Sequence, residues 1–318
     1  MYLYTICSYS NFNQAIVLYD SIKQNTQLPF SFFCFLIDEI HDGFSLEDES
    51  FKLLKVTDLQ KSIPEFDQLK LKYSAFELCC ALKPFCGEFL FSRSNEEQIL
   101  VYLDSDILFY NDIKLLAEEL GSNAILLTPH FISEPPDFNK ISELDVNNTG
   151  LYNGGFFALK KNSNTSEFLK WWKERMKQFC FTDFKNGMFV DQIWLNFVPL
   201  YFKNVLISKH KGLNVAYWNF HERTISTSSY NTWKVNNESP LVFIHYSGFR
   251  LYRRDLISIH QTRYHFKEMP EIKKLFQDYA LFLEKNASTF HLEIPVRTIS
   301  QRIQSKLKSI FRNPFSKR

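Results

Sequence analysis

Asp104 and Asp106 form the one Asp-x-Asp in the chain, directly after the apolar run ILVYL. On an extended chain residues i and i+2 face the same side, so the spacing predicts two carboxylates converging on one point. Two hard oxygen ligands suit Mg²⁺ or Mn²⁺ shared with a substrate phosphate. His245 emerges from a second apolar run in LVFIHYSG, and an imidazole beside two carboxylates moves the preference toward Mn²⁺. Gly248 would let backbone approach a diphosphate closely, and Arg250, Arg253 and Arg254 would add positive charge there.

Three further groups carry polar chemistry. Tyr152-Asn153-Gly154-Gly155 sets an amide before two glycines, as where backbone passes close to another group. Asp191-Gln192 supplies a carboxylate and an amide able to bond adjacent hydroxyls, the chemistry of sugar recognition. Asn214, Tyr217, Trp218 and Asn219 mix rings with amides, a set fit for stacking on a sugar. Each feature also has a plain structural reading. The Asp pair suits a strand-end turn, His245 a satisfied structural histidine and the glycines an ordinary turn. Asp191-Gln192 suits a helix cap, the arginines a solvated face, and the rings a buried core.

The elements that must position these side chains follow from hydrophobic patterning. Residues 2–7 read as a strand, and Ala15, Ile16, Leu18, Tyr19 and Ile22 recur at helical spacing. Residues 30–37 (FSFFCFLI) have the continuous apolar character of a strand buried on both faces. A charged stretch to about residue 70 gives no clear element, and 73–91 is helical in character with an interruption expected at Pro84. Residues 99–104 form the clearest strand, followed by a helix over 112–120 and a strand over 123–128. Then come a loop and short strand over 152–159, a helix around FLKWWKERM, a strand over 241–248 and a helix over 271–285. Strands alternating with helices argue an α/β fold with a mainly parallel sheet, which binds ligands at the carboxyl ends of its strands. No Gly-x-Gly-x-x-Gly or P-loop sequence supports a dinucleotide or P-loop fold, and no internal repeat is present.

Composition sets the outer bounds. With 318 residues, 45% hydrophobic and 23% charged, the chain is neither disordered nor fibrous. Its 33 Phe, 15 Tyr and 5 Trp supply a ring-rich core, while 9 Gly argue against repetitive β-arrays. No apolar run reaches about 18 residues and the first residues lack a basic, cleavable signal, so neither a membrane span nor secretion is expected. Six cysteines (Cys7, Cys34, Cys79, Cys80, Cys86, Cys180) sit in apolar segments rather than in a disulfide or zinc pattern, which fits a reducing cytoplasm. The net charge is +2, yet from Arg297 onward there are basic residues and no acidic ones, which leaves the body acidic and makes nucleic acid a poor partner.

Taken in order, YLDSDI, YNGGFFAL, Asp191-Gln192 and HYSG resemble the metal-dependent GT-A glycosyltransferases over about residues 1–265. The resemblance is strongest to retaining enzymes of the glycogenin and bacterial lipooligosaccharide galactosyltransferase type, glycosyltransferase family 8-like. It implies a Rossmann-like, mainly parallel sheet flanked by helices, with a C-terminal helical extension. It implies Mn²⁺ (or Mg²⁺) on Asp104, Asp106 and His245, with Asp104 also facing the nucleotide. Asn153, Asp191 and Gln192 would then lie near the donor sugar and reaction centre. Ile6, Ser8, Asn11 and Phe12 match the strand and loop that cradle nucleobase and ribose, and Lys83 matches a basic residue touching the nucleotide. The lysine that the family places six residues after the metal histidine falls here on Leu251, and the following Pro-Trp is missing; the resemblance then implies that Arg250 or Arg253 would replace that phosphate contact.

The implied activity is transfer of a hexose from a nucleotide-diphosphate sugar, with a UDP-linked donor expected, to a glycan or glycolipid acceptor. Retention of configuration is implied, as is a role in bacterial-type surface polysaccharide or lipooligosaccharide synthesis. A sugar-phosphate nucleotidyltransferase would want a Gly-rich, basic loop after the first strand, and SYSNFN is neither. A catalytically inactive GT-A-like module that binds a glycan or partner stays open. The expected organisation is a GT-A domain over 1–270, a helical extension and linker over 271–295, and a basic amphipathic tail over 296–318. In that tail Ile299, Ile303, Leu307, Ile310 and Phe311 share one helical face. Each basic residue near an anionic membrane surface is worth about 1 kcal/mol, so peripheral binding on the inner face of the cytoplasmic membrane is expected; packing on the chain's own domain is the alternative.

Overall fold

A computed structural model describes residues 1–39, 48–227 and 232–291. In chain order the first strands are β1 (Tyr2–Cys7), β2 (Ser31–Leu36), β3 (Phe51–Leu54), β4 (Ile99–Leu103), β5 (Ile107–Phe109), β6 (Ile125–Pro129) and β7 (Tyr152–Lys160). Shorter strands follow: β8 (Thr182–Asp183), β9 (Met188–Phe189), β10 (Val205–Ile207), β11 (Ile225–Thr227), β12 (Trp233–Val235), β13 (Ser239–Pro240) and β14 (Phe243–His245). The helices used below are α1 (Phe12–Asn25), α2 (Val56–Ser62), α3 (Phe66–Lys72), α4 (Ala75–Phe91), α5 (Lys114–Leu120), α6 (Glu143–Thr149), α7 (Ser163–Phe179), α8 (Val198–Tyr201) and α9 (Pro270–Thr289).

Seven strands form the central sheet in the order β10-β6-β7-β4-β1-β2-β3. All neighbouring pairs are parallel except those of β7, which runs antiparallel to both β4 and β6. The sheet is therefore mostly parallel with one reversed strand near its centre. Alternating side chains pack on opposite faces, which explains the continuous apolar runs. Tyr4, Leu100, Tyr102 and Phe157 lie on the face covered by α4 and α7, while Leu3, Val101, Leu103 and Phe156 lie on the face covered by α1. Rings fill the first layer: Tyr102 stacks on Phe157 at 5.2 Å, and Phe157 meets Trp172 edge-on at 5.3 Å. All six cysteines are unbridged.

Several elements depart from the sequence expectation. α4 runs unbroken through Pro84, opened by a capping box in which Ser74 and Glu77 bond each other's backbone N–H. Proline removes one helical hydrogen bond, but twelve of the seventeen residues of α4 are buried, and that packing outweighs the loss. The charged stretch before residue 70 holds β3, α2 and α3. The short strand expected over 152–159 is a full nine-residue central strand, whose glycines sit where neighbouring side chains crowd the backbone. Of 241–248 only Phe243–His245 is strand, and it pairs antiparallel with β5, matching His245 to Ile107. The helix expected from 271 is α9; it buries Ile272, Leu275, Phe276, Tyr279 and Leu283, and Asn13 Nδ2 of α1 donates to its Leu283 carbonyl at 2.7 Å. The expected tail over 296–318, and the end of the preceding linker, lie outside the described residues. Among the described residues no helix is long and apolar enough to cross a membrane.

Candidate active site

Asp104 and Asp106 flank a turn, not the end of an extended strand. β4 stops at Leu103, β5 starts at Ile107, and the Ile107 N–H donates to the Asp104 carbonyl at 3.2 Å. Convergence of the two carboxylates is therefore a product of this reversal and of the β5–β14 pairing, which brings in His245 from 140 residues downstream. His245 Nε2 lies 3.0 Å from Asp106 Oδ1 and 3.7 Å from Asp104 Oδ2. One ligand atom from each of the three residues falls within 4.8 Å of the others. A pair of hard oxygens with one imidazole nitrogen is a donor set that fits a divalent cation. Space for it is kept by Gly155: a Cβ there would stand 2.4 Å from His245 Cε1 and 2.6 Å from Asp104 Oδ2.

The triad is held from several sides. The Asp104 N–H donates to the Gly155 carbonyl and the Tyr246 N–H to the Asp106 carbonyl, both at 2.8 Å. Tyr102 OH donates to Asp104 Oδ1 at 2.6 Å. Trp218 meets the His245 ring edge-on at 5.2 Å. Burial opposes the imidazolium, but Asp106 and then Asp104 outweigh it and raise the His245 pKa above its ordinary value. Burial likewise pushes Asp106 upward, and His245 followed by Arg250 more than reverses it, so its carboxyl lies below the usual range.

Behind the triad lies a buried polar wall. Lys83 Nζ, from α4, sits 2.8 Å from Asp191 Oδ2, 2.8 Å from the Gly154 carbonyl and 3.8 Å from Asp104 Oδ1. Its ammonium also lies 4.6 Å from the Tyr102 ring centroid. Desolvation disfavours the Lys83 charge, yet Asp104 and Asp191 overcome it and raise its pKa. Burial raises Asp191 against the pull of Lys83. Gln192 Oε1 accepts from the Gly154 N–H at 2.8 Å and from Asn153 Nδ2 at 3.2 Å, while its Nε2 donates to the Thr149 carbonyl at 2.9 Å. A Cβ on Gly154 would meet Asp191 Oδ2 at 2.8 Å, so both glycines of YNGG are required by close approach.

The remaining expected residues fall in three places. Ser8 and Asn11 lie on the loop at the carboxyl end of β1, where Ser8 Oγ meets Ser10 Oγ at 2.8 Å and the Tyr9 N–H donates to Asp38 Oδ2 at 2.9 Å. Ile6 and Phe12 belong instead to the core, with Phe12, the first residue of α1, wholly buried, so its ring presents no surface to a ligand. Gly248 takes a left-handed φ of 74°, and a Cβ there would collide with Ser258 and His260. Arg250 is half-buried and its charge reaches Asp106. Arg253 and Arg254 are exposed and paired with Asp255 and Glu284, which is the solvated-face alternative for those two. Asn214, Tyr217, Trp218 and Asn219 are all buried, so they form part of the wall and not an open stacking platform. Tyr102, Thr128 and His130 join the site without having been singled out from sequence; as a Tyr, a Thr and a His inside or beside apolar strands, they carry no spacing signal of their own.

No family model matches the chain. It is 27% identical over 283 residues to the uncharacterized protein YfnF of Bacillus subtilis (strain 168), covering 86% of this chain and 89% of that one. To YfnD of the same organism, also uncharacterized, it is 26% identical over 224 residues, covering 70% and 69%. The crystal structure of the galactosyltransferase LgtC in complex with donor and acceptor sugar analogs superposes with a TM-score of 0.51 at 13% identity, covering 88% of this chain and 95% of that one. The fold is that of the GT-A glycosyltransferases, and the Asp-x-Asp and histidine stand together within it.

Proposed function

We propose that this chain is a metal-dependent glycosyltransferase that moves a hexose from a nucleotide-diphosphate sugar, UDP-linked in our reading, to a glycan or glycolipid acceptor. The observation that carries it is the Asp104–Asp106–His245 cluster, one ligand atom from each within 4.8 Å, opening beside the buried Asp191–Gln192–Asn153 wall. Asp104, Asp106 and His245 would hold Mn²⁺ or Mg²⁺, which when bound offsets negative charge on a leaving diphosphate. Arg250 supplies further positive charge on the Asp106 side.

In this reading Ser8 and Asn11 hold the nucleoside at the carboxyl end of β1, where ligands of parallel sheets bind. Gln192 and Asn153 orient the donor sugar and the incoming hydroxyl, with Asp191, as buried as Lys83 and bonded to it, acting from behind them, so rate comes from positioning. Lys83 acts through Asp191 and Asp104 rather than by reaching outward, since its side chain is almost wholly buried. Retention fits a site whose wall carries amides and one lysine-bound carboxylate, because attack on the face that the leaving group vacates needs no separate base. The basic amphipathic pattern of residues 296–318 supports peripheral contact with an anionic membrane on the cytoplasmic side, where lipid-linked acceptors of surface-polysaccharide synthesis are met.

The test is a panel of UDP-, GDP- and CMP-linked sugars, read by thermal stabilisation and slow donor hydrolysis, with Mn²⁺ and with EDTA. A ligand that binds only the folded state must raise the melting temperature. One metal-dependent hit supports the enzyme reading and names the donor. Silence across the panel overturns it in favour of a GT-A-like binding module without catalysis.

A further inference from the structure

Asp38 stands just past the carboxyl end of β2, and only one of its carboxylate oxygens is engaged. Oδ2 accepts the Tyr9 N–H at 2.9 Å; Oδ1 accepts no hydrogen bond among the described residues, although the residue is half-buried. A carboxylate held on one side by backbone is a fixed acceptor that cannot donate. The sheet decides what it faces. β4, β1 and β2 are adjacent and parallel, with Tyr4 opposite Tyr102 and Cys7 opposite Leu36, so Asp104, Ser8 and Asp38 leave the carboxyl end of the sheet on successive strands. Two strand spacings separate β4 from β2, about 10 Å, which is the reach of a nucleotide from its diphosphate across the ribose to the base. A diphosphate on the Asp104–Asp106–His245 site, with its ribose at the Ser8–Asn11 loop, thus carries its base to Asp38. The loop is tied to that end of the sheet: the Tyr9 bond joins it to the residue after β2, and the Asn11 N–H donates to the Ser8 carbonyl at 2.9 Å. Cys79 of α4 spans the same gap, since burial pushes its thiol up and Cys7, Asp38 and then Asp104 add to the shift.

We propose that Asp38 is a specificity-determining residue that selects a uracil base, its Oδ1 accepting the N3–H. The inference rests on the nucleotide-donor reading above and adds to it the group that reads the base. Uracil presents a donor at N3, whereas cytosine presents a lone pair there, which a carboxylate repels. Cytosine would also leave the charged oxygen unpaired, the cost that makes hydrogen-bonded recognition selective. Ser8 and Asn11 cannot make this distinction: a hydroxyl and an amide each offer both donor and acceptor, so they hold a nucleoside without telling one base from another. The Tyr9 bond also fixes what Asp38→Asn must do. That N–H keeps an acceptor in front of it, so the asparagine oxygen takes the place of Oδ2 and the NH₂ takes the place of Oδ1. An NH₂ there meets the cytosine lone pair and opposes the uracil N3–H, so the preference between the two bases is lost or inverted.

Isothermal titration of the full chain with UDP, CDP and 2′-deoxy-UDP, each with Mn²⁺, tests this in the wild type and in Asp38→Asn. The wild type is expected to bind UDP about 10- to 100-fold more tightly than CDP, the range for a hydrogen bond to a charged group. In Asp38→Asn that ratio is expected to fall to parity or below, while the ratio of UDP to 2′-deoxy-UDP stays as in the wild type, because the ribose is held elsewhere. Equal wild-type affinity for UDP and CDP overturns the proposal, as does an Asp38→Asn chain that keeps the wild-type ratio or weakens both nucleotides alike. A change confined to the 2′-deoxy ratio places Asp38 on the ribose and overturns it too. N3-methyl-UDP on the wild type covers a variant that does not fold: binding at least about tenfold weaker than UDP is expected, and equal binding overturns the proposal. In each of these failures the chain still binds nucleoside diphosphates, and the donor reading stands. A wild type that binds none of the nucleotides removes the donor reading and the base assignment together.

Discussion

Lys83 Nζ lies 2.8 Å from Asp191 Oδ2, and the two side chains are 3% and 1% exposed. The pair ties α4 to the turn that opens Gln192, and the second bond of Lys83, to the Gly154 carbonyl, ties both to β7. A buried ion pair of this kind contributes little net stability over a well-packed apolar pair, but it is costly to break singly. Its residues are also the ones nearest the reading of a donor-sugar pocket, so stability and activity should separate when it is removed.

Lys83→Met should leave Asp191 buried without its partner and lower unfolding free energy by about 3–5 kcal/mol. Adding Asp191→Leu in the same chain should recover most of that loss, since no uncompensated charge remains. Urea unfolding of the wild type, both singles and the double variant measures the coupling. Donor turnover should stay lost in the double variant although the fold is restored; recovered turnover would remove Asp191 from the reaction centre.

Gly155→Ala tests the cradle from another side. Its methyl would stand 2.4 Å from His245 Cε1 and 2.6 Å from Asp104 Oδ2, inside any contact distance. Overpacking of this size costs about 1–3 kcal/mol, and the displaced ligands should lower Mn²⁺ affinity by more than tenfold. A thermal melt together with EPR titration reads both; unchanged Mn²⁺ binding would show that the ion does not lie against Gly155.

What could be read from the sequence was residue chemistry near strand ends: Asp104, Asp106 and His245 stand out because polar ligands follow apolar runs. The element alternation also carried the mostly parallel sheet. What could not be read depended on non-local pairing. The extended-chain argument for the Asp pair fails because the chain reverses at Ser105, and that reversal is set by β5 pairing with β14, more than 130 residues away. Pro84 suggests a break only when local propensity is weighed without the burial of α4. The family resemblance matches Lys83 to a residue touching the nucleotide; its burial against Asp191 could be seen only once α4 is docked on the sheet. Phe12 follows an exposed polar loop in sequence, yet helix α1 turns its ring into the core.

Asp106→Ala should abolish metal-dependent stabilisation by the donor; it also removes the Asp106 partner of His245 on β14, so some loss of stability without donor is expected alongside. A donor at 100 times its dissociation constant stabilises the wild type by about 2.7 kcal/mol, a shift that EDTA should erase. In the variant the melting temperature should ignore both donor and EDTA. Normal donor turnover with Mn²⁺ in that variant would sink the metal assignment.

His130 supplies the pH dependence. Its ring is 4% exposed, Nδ1 faces the Leu151 carbonyl at 3.2 Å and Nε2 faces Asn153 Nδ2 at 3.5 Å, so the folded chain wants it neutral. Burial pushes its pKa down to about 4 from an ordinary 6.5. The unfolded chain therefore binds a proton that the folded one refuses, and the stability that neutral His130 supports is present in full above pH 6.5 and lost as pH falls through about 4. A depression of that size corresponds to a loss on the order of 3 kcal/mol across the window. His245 shifts the other way, since its pKa is raised, so its contribution is present in full at low pH and fades as pH rises; the wild-type curve alone mixes the two. Subtracting the curve of His130→Leu isolates the term: the difference in unfolding free energy between wild type and variant should shrink by roughly 3 kcal/mol between pH 7.5 and pH 4. A difference that stays constant over that range would mean that His130 takes up its proton as readily in the fold as in the unfolded chain, and that burial does not hold it neutral.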